Sequence, residues 1–220
     1  WGAVIEEDGS NVSIDCRPVD SYRIDADLGS RFRAPVLFVG PLLARFGVAE
    51  LPMPGGCRLG QRALETHIAA FRKLGATVEE AGGYLRFTAP RHSQSSRTIW
   101  LPEASVTATE NIAMYAAGTG ATVQIVDAAC EPHVRDLMDL LCDQGAQVSG
   151  INTNCLTVTG GIDRSTATID YRPSPDHVDI SGFIVAAGMT GGRVRIRGAN
   201  LPDIMTGLID WFERFGIRIT

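Results

Sequence analysis

Lysine is nearly missing from this 220-residue chain: Lys73 is its single lysine, and the rest of the 20 basic residues are arginine. A catalytic amine therefore has one candidate. Basic character as a whole is in deficit, and a net charge of −5 argues against nucleic acid as a main partner. The five cysteines, Cys16, Cys57, Cys130, Cys142 and Cys155, are odd in number and lack CxxC spacing. That excludes a zinc ribbon and a disulfide framework, and favours a reducing, cytoplasmic compartment. His67, His92, His133 and His177 show no metal-ligand spacing, so no metal site is expected. No apolar run approaches membrane-span length and no signal peptide is visible, so no membrane partner is expected. Gly160-Gly161 and Gly191-Gly192 match no phosphate-loop pattern, and no cofactor is implied. What remains is ordinary globular composition, 45% apolar and 20% charged.

The richest stretch is Leu51 to His67, LPMPGGCRLGQRALETH. Pro54, Gly55 and Gly56 form a turn that presents Cys57, and Gly60 removes further side-chain bulk, so the loop can approach a ligand closely. Arg62 follows at the head of an amphipathic helix, where backbone N–H groups lack partners. A helix start, a guanidinium and a thiol whose pKa such neighbours lower together suit an anionic ligand.

The chain is also repetitive. An amphipathic helix, a glycine, a strand, a turn and a second strand recur at Lys73 to Phe87 and Asp143 to Val158. The pattern returns cut short at Arg214 to Thr220, and headless at Trp1 to Ile14. The aligned glycines, Gly2, Gly75, Gly145 and Gly216, stand 73, 70 and 71 positions apart. A unit of roughly 70 residues follows, larger than solenoid repeats. Each unit reads as an apolar helix (Arg33 to Phe46, about Glu110 to Ala117, Ser181 to Met189) and then a strand (Ala49 to Met53, Thr122 to Val126, Arg193 to Arg197). An amphipathic helix and a hairpin complete it. The buried faces expected of the second helices are Leu64, Ile68, Phe71 and Leu74; then Val134, Leu137, Met138 and Leu141; then Ile204, Leu208, Trp211 and Phe215. The fold class expected is α/β (α+β), built of βαβαββ repeats. Arg172-Pro-Ser-Pro-Asp176 reads as an extended connector and marks the domain boundary, giving 1–172 and 173–220, unless the last stretch is a third repeat closing a single globule.

These segments resemble the enolpyruvyl transferase family, and within it the branch acting on UDP-N-acetylglucosamine. The resemblance rests on RAPVLFVGPLLARFG, LPMPGGCRLGQRALETHIAAFRKLGA, SVTATENIAMYAA, AACEPHVRDLMDLLCDQGAQVSG and PDHVDISGFIVAAGMTGG, which span nearly the whole chain in order. It implies an inside-out α/β barrel of three repeats per domain. It also implies transfer of the enolpyruvyl group of phosphoenolpyruvate to UDP-N-acetylglucosamine, the first committed step of peptidoglycan synthesis, in the cytoplasm and by a monomer. Cys57 falls on the family's mobile-loop cysteine, a general acid that also forms a phosphoenolpyruvate adduct. Arg33 and Arg62 fall on its anion-binding arginines. Arg62, Ala63, Leu64, Glu65 and Thr66, with Glu103, Ala104, Ser105 and Val106, fall on the segments that hold the UDP-sugar. Such chemistry needs an acid near the operating pH and donors for the phosphates.

The departures from that pattern matter. Glu103 stands where close relatives carry lysine, Thr107 where they carry glycine, and Cys130 where they carry arginine. The chain opens on Trp1 in what reads as mid-strand, and the family's upstream lysine–asparagine pair and downstream aspartate base have no counterpart, so an incomplete chain is expected. Two other readings stand beside the transferase: a uridine-nucleotide-binding module without turnover, and a transferase acting on another uridine nucleotide. Ser105, Thr107 and Thr109 read as N-cap residues for the helix beginning near Glu110, whose N–H groups also suit a diphosphate. His67 is a further candidate contact, and Cys16, Cys130, Cys142 and Cys155 read as small apolar fillers.

Overall fold

The computed structural model describes residues 1–31, 34–53, 64–90, 96–162, 168–199 and 204–219. A hairpin opens the chain, β1 (Val4–Asp8) against β2 (Asn11–Asp15), with Ile5 opposite Ile14. Helix α1 (Ala26–Arg31) leads to a 3-10 turn (Ala34–Phe38), α2 (Val39–Phe46) and strand β3 (Val48–Pro52). Helix α3 (Glu65–Lys73) and the hairpin β4 (Thr77–Ala81) and β5 (Tyr84–Thr88) complete that unit. The next unit is a full βαβαββ: β6 (Arg97–Trp100), α4 (Val106–Thr119), β7 (Thr122–Val126), α5 (Pro132–Asp143), β8 (Gln147–Ser149) and β9 (Cys155–Thr159). Two helices follow, α6 (His177–Thr190) and α7 (Ile204–Arg214).

The two central sheets share one topology. In the second unit the order is β6-β7-β9-β8, with β6 parallel to β7 and the other pairs antiparallel. In the first the order is β3-β5-β4, and a single parallel bridge from Arg23 to Glu50 occupies the place of β6. Alternation decides which face is inward: Leu85 and Phe87, Val123 and Ile125, and Leu156 and Val158 are all buried. They form one core with the helices, in which Phe71 meets Phe87 and Tyr115 edge-on.

The repeat glycines have the conformation their positions demand. Gly75, Gly145 and Gly216 take φ of 92°, 100° and 80°. Each donates to a carbonyl three residues back (Arg72, Cys142, Glu213), and the next residue donates five back (Phe71, Leu141, Phe212). This is one helix-ending motif used three times, with the left-handed position open chiefly to glycine. Gly2 shares the left-handed backbone, with φ of 91°.

Helices α2 and α4 are equivalent in the two units and cross closely. A Cβ on Gly40 would stand 2.2 Å from the Asn111 carbonyl oxygen, and one on Gly118 would stand 2.8 Å from the Ala44 Cβ. Small residues on both sides permit that approach. Helix α4 is buried on most of its circumference, from Ala108 through Ala117, with Met114 the exception.

Several sequence expectations need correction. The helix expected over Arg33 to Phe46 is a 3-10 turn followed by α2. Pro41 confines the α-helix start to its own first turn, the position where a missing N–H is tolerated. The helix expected near Glu110 begins four residues earlier, at Val106, because Ser105 caps it. Residues 193–197 form no strand and neither do 217–219; among the described residues no neighbouring strand offers them a ladder. On α7, Trp211 and Phe215 are exposed, 59% and 77%, while the Ile204 side chain lies outside the described residues. Leu208, Ile209 and Phe212 face Ile180 and Ile184 instead, in a small second cluster joined by Ile196, Ala199, Ile217 and Ile219. Phe212, whose carbonyl accepts the Ile217 N–H in the glycine motif, packs in this cluster together with Ile217. Cys16, Cys130 and Cys155 are exposed rather than core fillers, and Cys142 is half-buried.

The connector 168–176 runs without regular structure, as its prolines require. It is nevertheless anchored. Ser174 donates from its backbone N–H and its hydroxyl to the Asp136 carboxylate, both at 2.8 Å, and the Tyr171 hydroxyl donates to the Asp136 carbonyl. Asp176 then caps α6, accepting from Val178 and Asp179; those N–H bonds hold its carboxyl below the usual range.

Candidate functional site

The loop carrying Cys57, Arg62 and Ala63 lies outside the described residues, and so does Arg33. What the structure describes is the frame that follows that loop in sequence. Helix α3 begins directly after it, and its first turn faces the first turn of α4. Thr66 donates to Glu103 Oε1 at 2.9 Å, and His67 Nε2 meets Thr107 Oγ1 at 3.0 Å. The two segments singled out from the sequence, 62–66 (described from residue 64) and 103–106, are thus joined by the Thr66–Glu103 hydrogen bond, with the His67–Thr107 pair next to it.

Their residues divide by environment. Leu64 is buried in the core and Val106 packs against it, so their side chains serve the fold. Thr66 is buried, Glu65, Glu103 and Ala104 are exposed, and Ser105 is half-buried. Ser105 is the cap of α4: its Oγ accepts from the Ala108 N–H, and its own N–H donates to the Glu103 carbonyl at 2.8 Å. Thr107 and Thr109 are inside the helix rather than caps. Thr109 donates to the Ser105 carbonyl at 2.8 Å and accepts from the Ala129 N–H at 3.0 Å, tying α4 to the segment before α5.

Behind this surface lies a residue that the sequence reading passed over. Asn111 is fully buried, accepts from the Gly40 N–H, and donates through Nδ2 to the Val36 carbonyl at 2.7 Å, with His67 Nδ1 at 3.2 Å. One amide therefore ties α2, the 3-10 turn and α3 to α4. Its signal was present: a Glu-Asn pair in an otherwise small and apolar helix needs buried partners.

The other half of that pair, Glu110, is buried, and burial together with the charge of Glu131 pushes its carboxyl up to about 7. Glu131 precedes α5 without capping it, and its Oε2 is buried with no hydrogen-bond partner among the described residues. Glu50, on β3, is also buried but well compensated, with Arg86 at 2.9 Å and Arg23 closer still. A cleft of about 480 Å³ beside Arg23, lined also by Trp1, Asp20, Asp25 and Tyr84, includes none of the predicted site residues. Among the described residues no group of histidine, cysteine, aspartate or glutamate side chains could hold a metal, and no helix is long and apolar enough to cross a membrane.

The paired first turns of α3 and α4 stand on a repeated α/β frame, and comparison with known proteins identifies the family of that frame. The family model described as EPSP synthase (3-phosphoshikimate 1-carboxyvinyltransferase) matches residues 1–220. The chain belongs to this enolpyruvyl transferase family. A UDP-N-acetylglucosamine 1-carboxyvinyltransferase from Shewanella amazonensis is 37% identical over 218 residues, covering 99% of this chain and 51% of that protein. The chain thus spans about half the length of this curated relative. Among solved structures, the enolpyruvyl transferase NikO from Streptomyces tendae superposes with a TM-score of 0.68 at 22% identity, over 84% of this chain and 44% of that one. The EPSP synthase from Acinetobacter baumannii gives a TM-score of 0.55 at 19% identity, over 86% and 42%. Both likenesses support the α/β fold of the enolpyruvyl transferases.

Proposed function

We propose that this chain is the loop-bearing part of an enzyme that transfers the enolpyruvyl group of phosphoenolpyruvate to UDP-N-acetylglucosamine, in cytoplasmic peptidoglycan synthesis. The observation that carries the reading is the pairing of Thr66 with Glu103, which joins the two segments assigned to the nucleotide-sugar, with the His67–Thr107 pair beside it. The 37% identity to a relative bearing that activity supports it. In this reading residues 1–172 are part of the nucleotide-sugar and mobile-loop domain, and 173–220 begin a second domain. Cys57 delivers a proton to the methylene carbon of the enol as the acceptor hydroxyl attacks its neighbour. Arg33 and Arg62 hold the anionic groups; the acceptor hydroxyl gives its proton to a general base, and loss of a proton from the new methyl carbon re-forms the double bond as phosphate leaves. Neither metal nor cofactor enters, and the protein acts as a monomer, with no nucleic-acid or membrane partner.

The test uses the full-length protein. Cys57→Ser is expected to abolish phosphate release, and labelled phosphoenolpyruvate is expected to leave an adduct on Cys57. Activity that survives Cys57→Ser, with no adduct on the wild type, rules the mechanism out. A second reading, a uridine-nucleotide-binding module without turnover, is favoured by the anionic Glu103. Calorimetry with UDP-N-acetylglucosamine beside a phosphate-release assay separates the two, since a module binds without releasing phosphate. Glu103 also leaves another uridine nucleotide as the rival acceptor, which the same calorimetry run with uridine monophosphate decides.

A further inference from the structure

The orientation of one buried amide fixes the role of a hydroxyl at the surface. Asn111 receives the Gly40 N–H on Oδ1, so its Nδ2 is the atom facing Val36 O and His67 Nδ1. The two Nδ2 hydrogens are used by those two acceptors. His67 Nδ1 therefore carries a lone pair, and a neutral ring then bears its proton on Nε2. That N–H points at Thr107 Oγ1, 3.0 Å away. Thr107 accepts this bond, which leaves its own O–H to donate elsewhere.

Threonines inside helices ordinarily give that proton back to the preceding turn. Thr109 and Thr119 of the same helix do so, to Ser105 O at 2.8 Å and Tyr115 O at 2.9 Å. Thr107 makes no such bond among the described residues; the Glu103 carbonyl four residues back accepts the Ser105 N–H. Among the described residues the Thr107 hydroxyl has His67 as its one hydrogen-bond partner. It is half-buried, in the first turn of α4, next to the Thr66–Glu103 pair. A donor in that position adds to the unpaired N–H groups of the helix start.

We propose that the Thr107 hydroxyl donates a hydrogen bond to an oxygen of the acceptor nucleotide, and that Asn111, acting through the His67 tautomer, is the positioning residue that keeps it a donor. This rests on the proposed nucleotide-binding function and adds a contact to it. Thr107→Val keeps the shape and removes the donor, whereas Thr107→Ser keeps the donor.

Calorimetry on the full-length protein with UDP-N-acetylglucosamine and with uridine monophosphate provides the test, with nitrogen NMR of His67 alongside. The expected results are about tenfold weaker binding for Thr107→Val, affinity within about twofold of wild type for Thr107→Ser, and a proton on Nε2 of His67. Wild type that binds neither nucleotide overturns the functional reading and this proposal together. Wild type that binds, with Thr107→Val unchanged or Thr107→Ser as weak as valine, overturns this proposal alone. A proton on Nδ1 of His67 does the same, independently of how either variant folds.

Discussion

Gly40 gives its amide proton to the side chain of Asn111, 71 residues away, across the closest approach of α2 and α4. The pair fixes the crossing of two helices that hold the same place in successive repeats. A methyl group at Gly40 would lie 2.2 Å from the Asn111 carbonyl oxygen and 2.6 Å from its Oδ1. Both atoms are buried, and the nearer is backbone, so the helices must separate. Gly40→Ala is expected to destabilise the fold by about 3 kcal/mol or more, beyond the usual range for overpacking. Urea denaturation measures this, and a loss under about 1 kcal/mol would show that the crossing yields easily.

Gly75 and Gly145 end α3 and α5 with one hydrogen-bond pattern, at φ of 92° and 100°. Alanine at either position must adopt a left-handed backbone, at a cost of about 1–2 kcal/mol. Gly75→Ala and Gly145→Ala are expected to lower stability by similar amounts, because the motif is the same and alanine leaves it no alternative. Widely different losses in parallel denaturation curves would mean that the surroundings, rather than the backbone, decide.

The repeat was legible because its signals are local: a glycine after a helix, and alternation along short strands. The glycine spacing anticipated three copies of the helix-ending motif, and β7 and β9 lie where alternation put them. The site was legible only as segments. Joining Thr66 to Glu103 and His67 to Thr107 requires the α3–α4 packing, which sequence spacing does not encode. Asn111 was missed because its partners, Gly40, Val36 and His67, lie 44 to 75 positions away. The expected strand at 193–197 failed for the complementary reason: its composition suits a strand, but a strand needs a neighbour.

Asp136 grips the connector through the backbone and side chain of Ser174. Asp136→Ala removes both acceptor oxygens and leaves α5 otherwise intact, since the residue sits on the helix surface. The expected outcome is faster amide exchange and faster protease cleavage in 168–176, with little change in midpoint temperature. Unchanged cleavage would assign the anchoring to Tyr171 and to the stack of His133 on His177, whose ring centroids are 5.7 Å apart.

Glu110 links stability to pH. Its carboxyl rises from 4.5 to about 7 on folding, first through burial and then through the charge of Glu131. The folded state therefore holds this proton more tightly than the unfolded one. Its contribution is fully present below about pH 4.5 and is lost as pH rises through about 7, at most about 3 kcal/mol in all. Above that range the pair carries two negative charges in a buried setting, and Glu131 Oε2 has no described donor to offset them. Glu110→Gln keeps the shape without the charge, so it is expected to be more stable than wild type at pH 8, by roughly 5 °C. At pH 5 the two proteins should melt nearly together. The measurement is a pair of thermal unfolding series across pH 5 to 8, in which the variant's curve should be flatter. Parallel curves would show that Glu110 remains ionised throughout, its charge matched by a group nearer than Glu131.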